Sequence, residues 1–217
     1  MLLDLKLDGK TILVIGGGKE ATRKVQSFLD LDAVIWMISQ DFSTEALKLA
    51  ETKKVNLLKT EIKDAHVFFN SLNPKPDVLL AATNNSKLNH DLIDAALKYG
   101  CLVYAVDNPA LSDFILPAIV KIGSVKIAIS TSGKSPAMAH VLRERIEKLI
   151  TPQDLLAIEL QTNIRCTLKN KIDDPTHRRK LLYALLDNVN IKRALLEGNL
   201  AEAQKLALNL IEKGEST

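Results

Sequence analysis

Thr11-Ile-Leu-Val-Ile-Gly-Gly-Gly-Lys-Glu-Ala21 decides the fold. An unbroken apolar run enters three consecutive glycines, and the chain behind them turns amphipathic. Such a continuous run is the pattern of a strand covered on both faces. The protein holds only 9 glycines in 217 residues, so three together mark a backbone requirement. From 19 to 29, Ala21, Val25, Phe28 and Leu29 recur at three- and four-residue spacing, which predicts a helix. Gly16, Gly18 and Ala21 therefore stand at G-x-G-x-x-A spacing between a strand and a helix, the context in which that spacing carries meaning.

Each position then has a physical task. Gly16 would make the tight turn, Gly18 would let a pyrophosphate approach the backbone, and Ala21 would let the helix pack close. The N–H groups of Lys19 and Glu20, at the start of the helix, would point at the phosphates with the helix dipole behind them. Dinucleotide binding is the expectation, and a merely structural turn is the competing reading. The ribose reader belongs about 20 residues on, at the end of the second strand. Ser39, Gln40 and Asp41 stand there; Asp41 suits a ribose hydroxyl and suits capping the next helix equally well. No Arg falls between Met37 and Ala50, and Lys48 lies well down the helix, so NAD is expected rather than NADP.

Outward from this unit the rhythm repeats. Apolar strands are expected at 33–38, 55–58, 77–82 and 102–106, with helices at 43–52 (Ser43 a candidate cap) and 88–99. Strand–helix alternation of this kind predicts a doubly wound, Rossmann-type parallel sheet. Thr83 and Asn84 follow the fourth strand, where an open sheet presents loops to ligands, and are candidates for the adenosine side; the same residues also make an ordinary capped turn. Asp107 ends the fifth strand ahead of Pro109, and reads either as a general base facing the crevice or as a turn residue.

After Asp113 the pattern changes. Strands are expected at 114–120 and 125–130 around a Gly123-Ser124 turn, then a helix over 136–150 with Ser135 as cap. Everything beyond Pro152 is helical in pattern, broken near Asp173-Asp-Pro175 and at Gly198-Asn199. The expected segments are 1–113, 114–150 and 151–217. Between the second strand and its helix, Ser130, Thr131, Ser132, Gly133, Lys134 and Ser135 supply hydroxyls, free N–H groups and one ammonium. That loop can cradle carboxylates or phosphates, or simply be a capped turn. It lacks the spacing of a P-loop.

Totals exclude several classes. A net charge of +3 is too small to argue nucleic-acid binding, although residues 1–113 carry −2 and 114–217 carry +5. An anion held by the back half would suit that asymmetry, and so would solvated helix faces. Cys101 and Cys166 make neither a zinc cluster nor a disulfide framework, as expected in a reducing cytosol. No stretch reaches the roughly 18 apolar residues of a membrane span, and the first residues lack the pattern of a signal peptide. A cytoplasmic protein without membrane contact is expected. His66, His90, His140 and His177 show no metal-ligand spacing, so no metal site is expected.

In order along the chain, Val14-Ile-Gly-Gly-Gly18 with Ala21 and Arg23-Lys24, Ala81-Ala-Thr83 with Leu88-Asn89, and Val106-Asp-Asn-Pro109 resemble the precorrin-2 dehydrogenase family. This family forms the NAD-dependent part of siroheme synthases. The likeness continues through Asp113-Phe114, Pro117-Ala118, Ile127-Ala-Ile-Ser-Thr131, Gly133, Ser135-Pro136 and Leu142-Arg-Glu-Arg145, and so spans residues 10–150. It implies oxidation of precorrin-2 to sirohydrochlorin with NAD⁺ as hydride acceptor, and Asp107 as the family's essential aspartate. It implies a homodimer formed through 114–150 by exchange of strands, and gives the Ser130–Ser135 loop a substrate with eight carboxylates to bind. Thr131 stands where some members have serine, and His140 where a bacterial member has arginine. Some members insert iron or cobalt as Fe²⁺ or Co²⁺ into sirohydrochlorin and others only dehydrogenate, so a ferrochelatase activity stays open. The methyltransferase domain fused to larger synthases is not expected in this chain, and Arg178-Arg179-Lys180 in the helical tail reads as a solvated face. A non-catalytic NAD-sensing dimeric module is the alternative, although it would need neither Asp107 nor the serine-rich loop.

Overall fold

A computed structural model describes residues 2–214; Met1 and Glu215–Thr217, the outer ends of the first and last expected segments, lie outside the described residues. The first unit is built on β1 (Thr11–Ile15), β2 (Val34–Ser39), β3 (Asn56–Lys59), β4 (Val78–Ala81) and β5 (Leu102–Ala105). They form one parallel sheet in the order β3-β2-β1-β4-β5. Between them run α1 (Lys19–Val25), α2 (Thr44–Glu51), α3 (Ala65–Ser71) and α4 (Ser86–Leu97). The chain order reverses between β1 and β4, and that switch point is where open α/β sheets take ligands.

Burial follows from the continuous apolar strands. Ile12, Val14, Ile35 and Met37 pack on one face with Ala21, Val25 and Phe28 of the α1 layer. Leu13, Ile15, Leu79 and Val103 pack on the other with Phe69 of α3 and Leu92 and Ile93 of α4. Polar side chains fasten the strand ends. Asp77 accepts the Thr11 N–H at 2.8 Å and pairs with Lys10 at 2.9 Å, which holds its carboxyl below the ordinary range. Asp113 accepts the Val103 N–H at 2.9 Å, and the Ser112 hydroxyl accepts that of Ala105 at 2.9 Å. The free edge of β5 is thereby covered by its own following loop rather than left open.

Four details differ from expectation. The predicted 19–29 helix ends at Val25 and continues as a 3₁₀ turn over Gln26–Phe28. Helix α3 is absent from the sequence reading; Asp64 starts it by accepting the Val67 N–H at 2.8 Å. The strand expected at 114–120 begins only at Ala118, because Phe114 leaves it to pack its ring, tilted by 37°, against Tyr104 at 5.5 Å between ring centroids. Finally, the chain divides between Leu116 and Pro117 into two units, and residues 117–150 share the second with the helical tail.

That second unit pairs β6 (Ala118–Ile122) with β7 (Val125–Ile129) as an antiparallel hairpin, followed by α5 (Pro136–Glu147). Helices α6 (Pro152–Lys171), α7 (Pro175–Asp187), α8 (Val189–Leu196) and α9 (Leu200–Gly214) close around Leu160, Ile164, Leu168, Leu185, Ile191, Ala203 and Ala207. The hairpin turn rests on α6, where a Cβ added at Gly123 would meet Leu155 at 3.2 Å. None of the described helices is long and apolar enough to cross a membrane.

The fold gives the two cysteines opposite reactivity. Burial pushes the Cys101 thiol up to about 12, and its Sγ lies 3.1 Å from the Pro76 carbonyl, whereas Cys166 is exposed. Thiolate is the reactive form. In native protein at pH 8, Ellman's reagent should titrate one thiol, lost in Cys166→Ser, with the second appearing only in denaturant. Two fast thiols in the native state would contradict this packing.

Candidate functional site

At the switch point lies a cleft of about 790 Å³ lined by Gly16–Lys19, Ser39–Ser43, Thr60–Ile62, Ala82–Asn85 and Leu88. The strand ends that the sequence singled out separately therefore meet in one place. The three glycines play three different parts there. Gly16 has φ +130°, and a Cβ on it would stand 2.4 Å from the Ala82 carbonyl oxygen. A Cβ on Gly17 would stand 2.2 Å from the Asp41 carbonyl oxygen and 2.9 Å from Ser39 Cβ. At Gly18 it would meet nothing within 4 Å. The first two glycines are required by the protein's own backbone. Only the third keeps open space for something else.

Helix α1 begins at this opening. Gly18 is its N-cap and offers no side chain to its first N–H groups. Those N–H groups, with the positive end of the helix dipole, are free to meet phosphate oxygens. Lys19 lines the cleft. The Glu20 side chain does not: Arg23 donates to its carboxylate at 2.9 Å, which holds that carboxyl below the ordinary range. Glu20 can therefore serve a dinucleotide only through its main chain.

On the β2 side, Ser43 caps α2 by accepting the Ala46 N–H at 3.2 Å. The capping role open to Asp41 is thus taken by Ser43. Asp41 instead pairs with Lys59, from the end of β3, at 2.9 Å, both side chains being exposed. Sequence spacing missed Lys59 because it lies 18 residues downstream and is brought back only by the parallel pairing of Ser39 with Lys59. Ser39 and Gln40 complete this edge.

On the β4 side, Asn89 is the residue that sequence reasoning left without a role. It is 1% exposed. Its Oδ1 accepts both the Thr83 N–H (3.1 Å) and the Thr83 hydroxyl (2.7 Å), and its Nδ2 donates to the Thr83 carbonyl (3.0 Å). Asn85 caps α4 by accepting the Leu88 N–H at 3.0 Å. The Thr83 hydroxyl is therefore occupied in holding its own loop, while Asn84 is exposed beside it.

Asp107 lies two residues beyond β5, exposed, with no hydrogen bond or ion pair among the described residues. It does not line the cleft around the glycine turn. The Ser130–Ser135 loop belongs to the second unit and satisfies much of itself. Thr131 Oγ1 donates to the Ser135 carbonyl and accepts its N–H, both at 3.1 Å. Ser130 Oγ accepts the Ser132 N–H at 3.2 Å, and Ser135 Oγ accepts that of Met138 at 3.2 Å. Ser132 stands at φ +53° and Gly133 at φ +77°. Lys134 is exposed with no ion pair among the described residues. His140 pairs with Glu144 at 3.3 Å, and no cluster of three or more His, Cys, Asp or Glu side chains among the described residues could hold a metal ion.

A family model described as "Putative NAD(P)-binding" matches residues 3–118, just over half of the chain. The chain belongs to this NAD(P)-binding family. A second model, described as "Sirohaem biosynthesis protein central", matches residues 123–149 of this NAD(P)-binding chain. Siroheme synthase 1 of Aeromonas salmonicida (strain A449) is 32% identical over 203 residues, covering 93% of this chain and 42% of the relative. Siroheme synthase 1 of Klebsiella pneumoniae is 31% identical over 210 residues, 97% and 43% of the two. The chain thus spans about two fifths of the length of these curated relatives. A solved structure titled "SirC, precorrin-2 dehydrogenase" has the same fold, with TM-score 0.74, 20% identity, and 96% and 99% of the two chains covered.

The unequal glycines make a sharp test. Gly18→Ala should raise the Kd for NAD⁺ at least about tenfold, a cost near 1.4 kcal/mol, with an unchanged thermal midpoint. Gly17→Ala, which must displace backbone, should raise the Kd and lower the thermal midpoint as well. Equal behaviour of the two variants in calorimetry and thermal melts would remove the assignment.

Proposed function

We propose that the protein oxidises precorrin-2 to sirohydrochlorin with NAD⁺, a step of siroheme biosynthesis. The observation that carries this reading is a dinucleotide-type cleft followed in the same chain by a sirohaem-biosynthesis segment at 123–149. Relatives about 30% identical over more than nine tenths of this chain bear the name siroheme synthase, which supports the same reaction.

The reaction removes one hydride and one proton from the macrocycle, giving sirohydrochlorin, NADH and H⁺. NAD⁺, when bound, supplies the hydride acceptor. Gly18 and the N–H groups of Lys19 and Glu20 hold its phosphates, and Ser39, Gln40 and Asp41 meet the adenosine ribose. We favour NAD over NADP because the Asp41 carboxylate accepts bonds from a ribose diol and repels a 2′-phosphate, while it occupies the Lys59 ammonium. Thr83 and Asn84 form the opposite wall, kept in register by Asn89. Asp107 takes the departing proton and, being exposed, returns it to water. The Lys134 ammonium and the outer hydroxyls of Ser130, Ser132 and Ser135 meet substrate carboxylates, while the Thr131 hydroxyl shapes the turn. Two free cysteines, one of them exposed, fit a cytoplasmic setting.

A second copy of the chain completes the assembly in this reading. The β6–β7 sheet has two strands only among the described residues, so each of them is an edge strand. Both of its edges have unpaired backbone groups to offer, and Ile119 is 42% exposed. Pairing of these strands between subunits would satisfy both features.

Two variants test the roles. Asp107→Asn should bind NAD⁺ with wild-type affinity while turnover falls by about 10²–10⁴-fold, the ordinary contribution of a positioned base. Unchanged turnover would remove Asp107 from the chemistry. Ile119→Lys should shift the sedimentation mass from dimer to monomer, and a wild-type protein that sediments as a monomer would refute the hairpin interface.

A further inference from the structure

The second unit contains a groove that the reaction above leaves unused. It runs along α6 and α7 and has a volume of about 900 Å³, within the range of roughly 300–1,000 Å³ typical of ligand clefts. Its wall is apolar, with Ala157, Ile158, Leu182 and Tyr183 among its residues, and Ile158 and Tyr183 are 39% and 58% exposed. Three guanidinium groups join them: Arg165, Arg178 and Arg179.

None of the three has a carboxylate partner among the described residues. Arg178 Nη1 donates to the carbonyls of Ile172 and Asp173 at 2.6 and 2.9 Å, which fixes its plane at the end of α6 without neutralising it. The Arg179 guanidinium lies 5.7 Å from the centroid of the Tyr183 ring, so the ring supports it and its N–H edges stay available. Arg165 is exposed on α6. The one carboxylate of the groove, Asp154, is engaged by the Thr151 N–H at 2.8 Å and the Thr151 hydroxyl at 2.7 Å, an N-terminal capping box of α6. Burying an uncompensated guanidinium is costly. The groove therefore suits an occupant that brings several negative charges on an apolar body, and disfavours a lipid tail or a bare apolar helix.

We propose that the α6–α7 groove is a second binding site for a polycarboxylated tetrapyrrole, apart from the cofactor cleft. The flat macrocycle would lie on the Ile158, Leu182 and Tyr183 wall, and its peripheral carboxylates would meet the guanidinium forks. This inference rests on the tetrapyrrole reading above for the ligand's identity. It also gives a use to Arg178 and Arg179, which the sequence alone presents as a solvated face.

Uroporphyrin I, a stable octacarboxylate macrocycle, is the probe. The full chain is titrated with it, following the Soret band, with mellitate as a polycarboxylate lacking the macrocycle. Wild type should bind the porphyrin. Arg165→Glu combined with Arg179→Glu should weaken that binding at least tenfold while leaving NADH formation from precorrin-2 and the sedimentation mass unchanged. Arg165→Lys with Arg179→Lys should recover most of the affinity. Isotherms unaffected by charge reversal, displacement by mellitate at equal concentration, or a change of oligomeric state in the Glu variant would each overturn the proposal. A wild type that binds porphyrin but forms no NADH would sink the dehydrogenase reading and leave the groove standing; the opposite result would sink the groove alone.

Discussion

Everything in the first unit depends on how closely the backbone of the glycine turn meets the ends of its two neighbouring strands. At Gly16 the contact is with the Ala82 carbonyl of β4, and at Gly17 with the Asp41 carbonyl beyond β2. Neither site has room for a single carbon more. This constraint draws the β2 and β4 loops around the start of α1, and it leaves open space beside Gly18. A cleft at the switch point is therefore a consequence of main-chain packing, before any side chain contributes to it.

Side chains then hold what the backbone has drawn together. The buried amide of Asn89 uses three hydrogen bonds to fix one residue, Thr83. A buried amide is stable only when its donors and acceptors are met, so this arrangement has little freedom to drift. Asp113 and Ser112 do the same work at the edge of β5 and set the path of the chain around Asp107. The cleft is rigid where it must be shaped. At its rim, exposed Lys19 and the solvent-exposed Asp41–Lys59 pair can rearrange around a ligand.

The parallel sheet was legible in the sequence because its strands are apolar throughout, and its phosphate turn because three glycines sit between a strand and a helix. Helix α3 was not legible: His66-Val-Phe-Phe69 is short, and its start depends on the Asp64 cap. The late start of β6 was hidden because Phe114 finds a ring partner in Tyr104, a contact no local pattern announces. At the site, Ser43 was legible as a cap of α2 and the structure gives it that role rather than Asp41, whereas Lys59 enters only through strand register, which local spacing does not show. The serine-rich loop shows the limit of reading hydroxyls as ligands, since most of its oxygens first satisfy the turn that carries them.

One measurement bears most directly on the account. Wild-type protein is incubated anaerobically with precorrin-2 and NAD⁺, and NADH and sirohydrochlorin are followed together by absorbance. The account predicts that both appear at the same rate, one NADH for each macrocycle oxidised. Sirohydrochlorin formed without NADH, or neither product formed at enzyme concentrations that bind NAD⁺ fully, would contradict it.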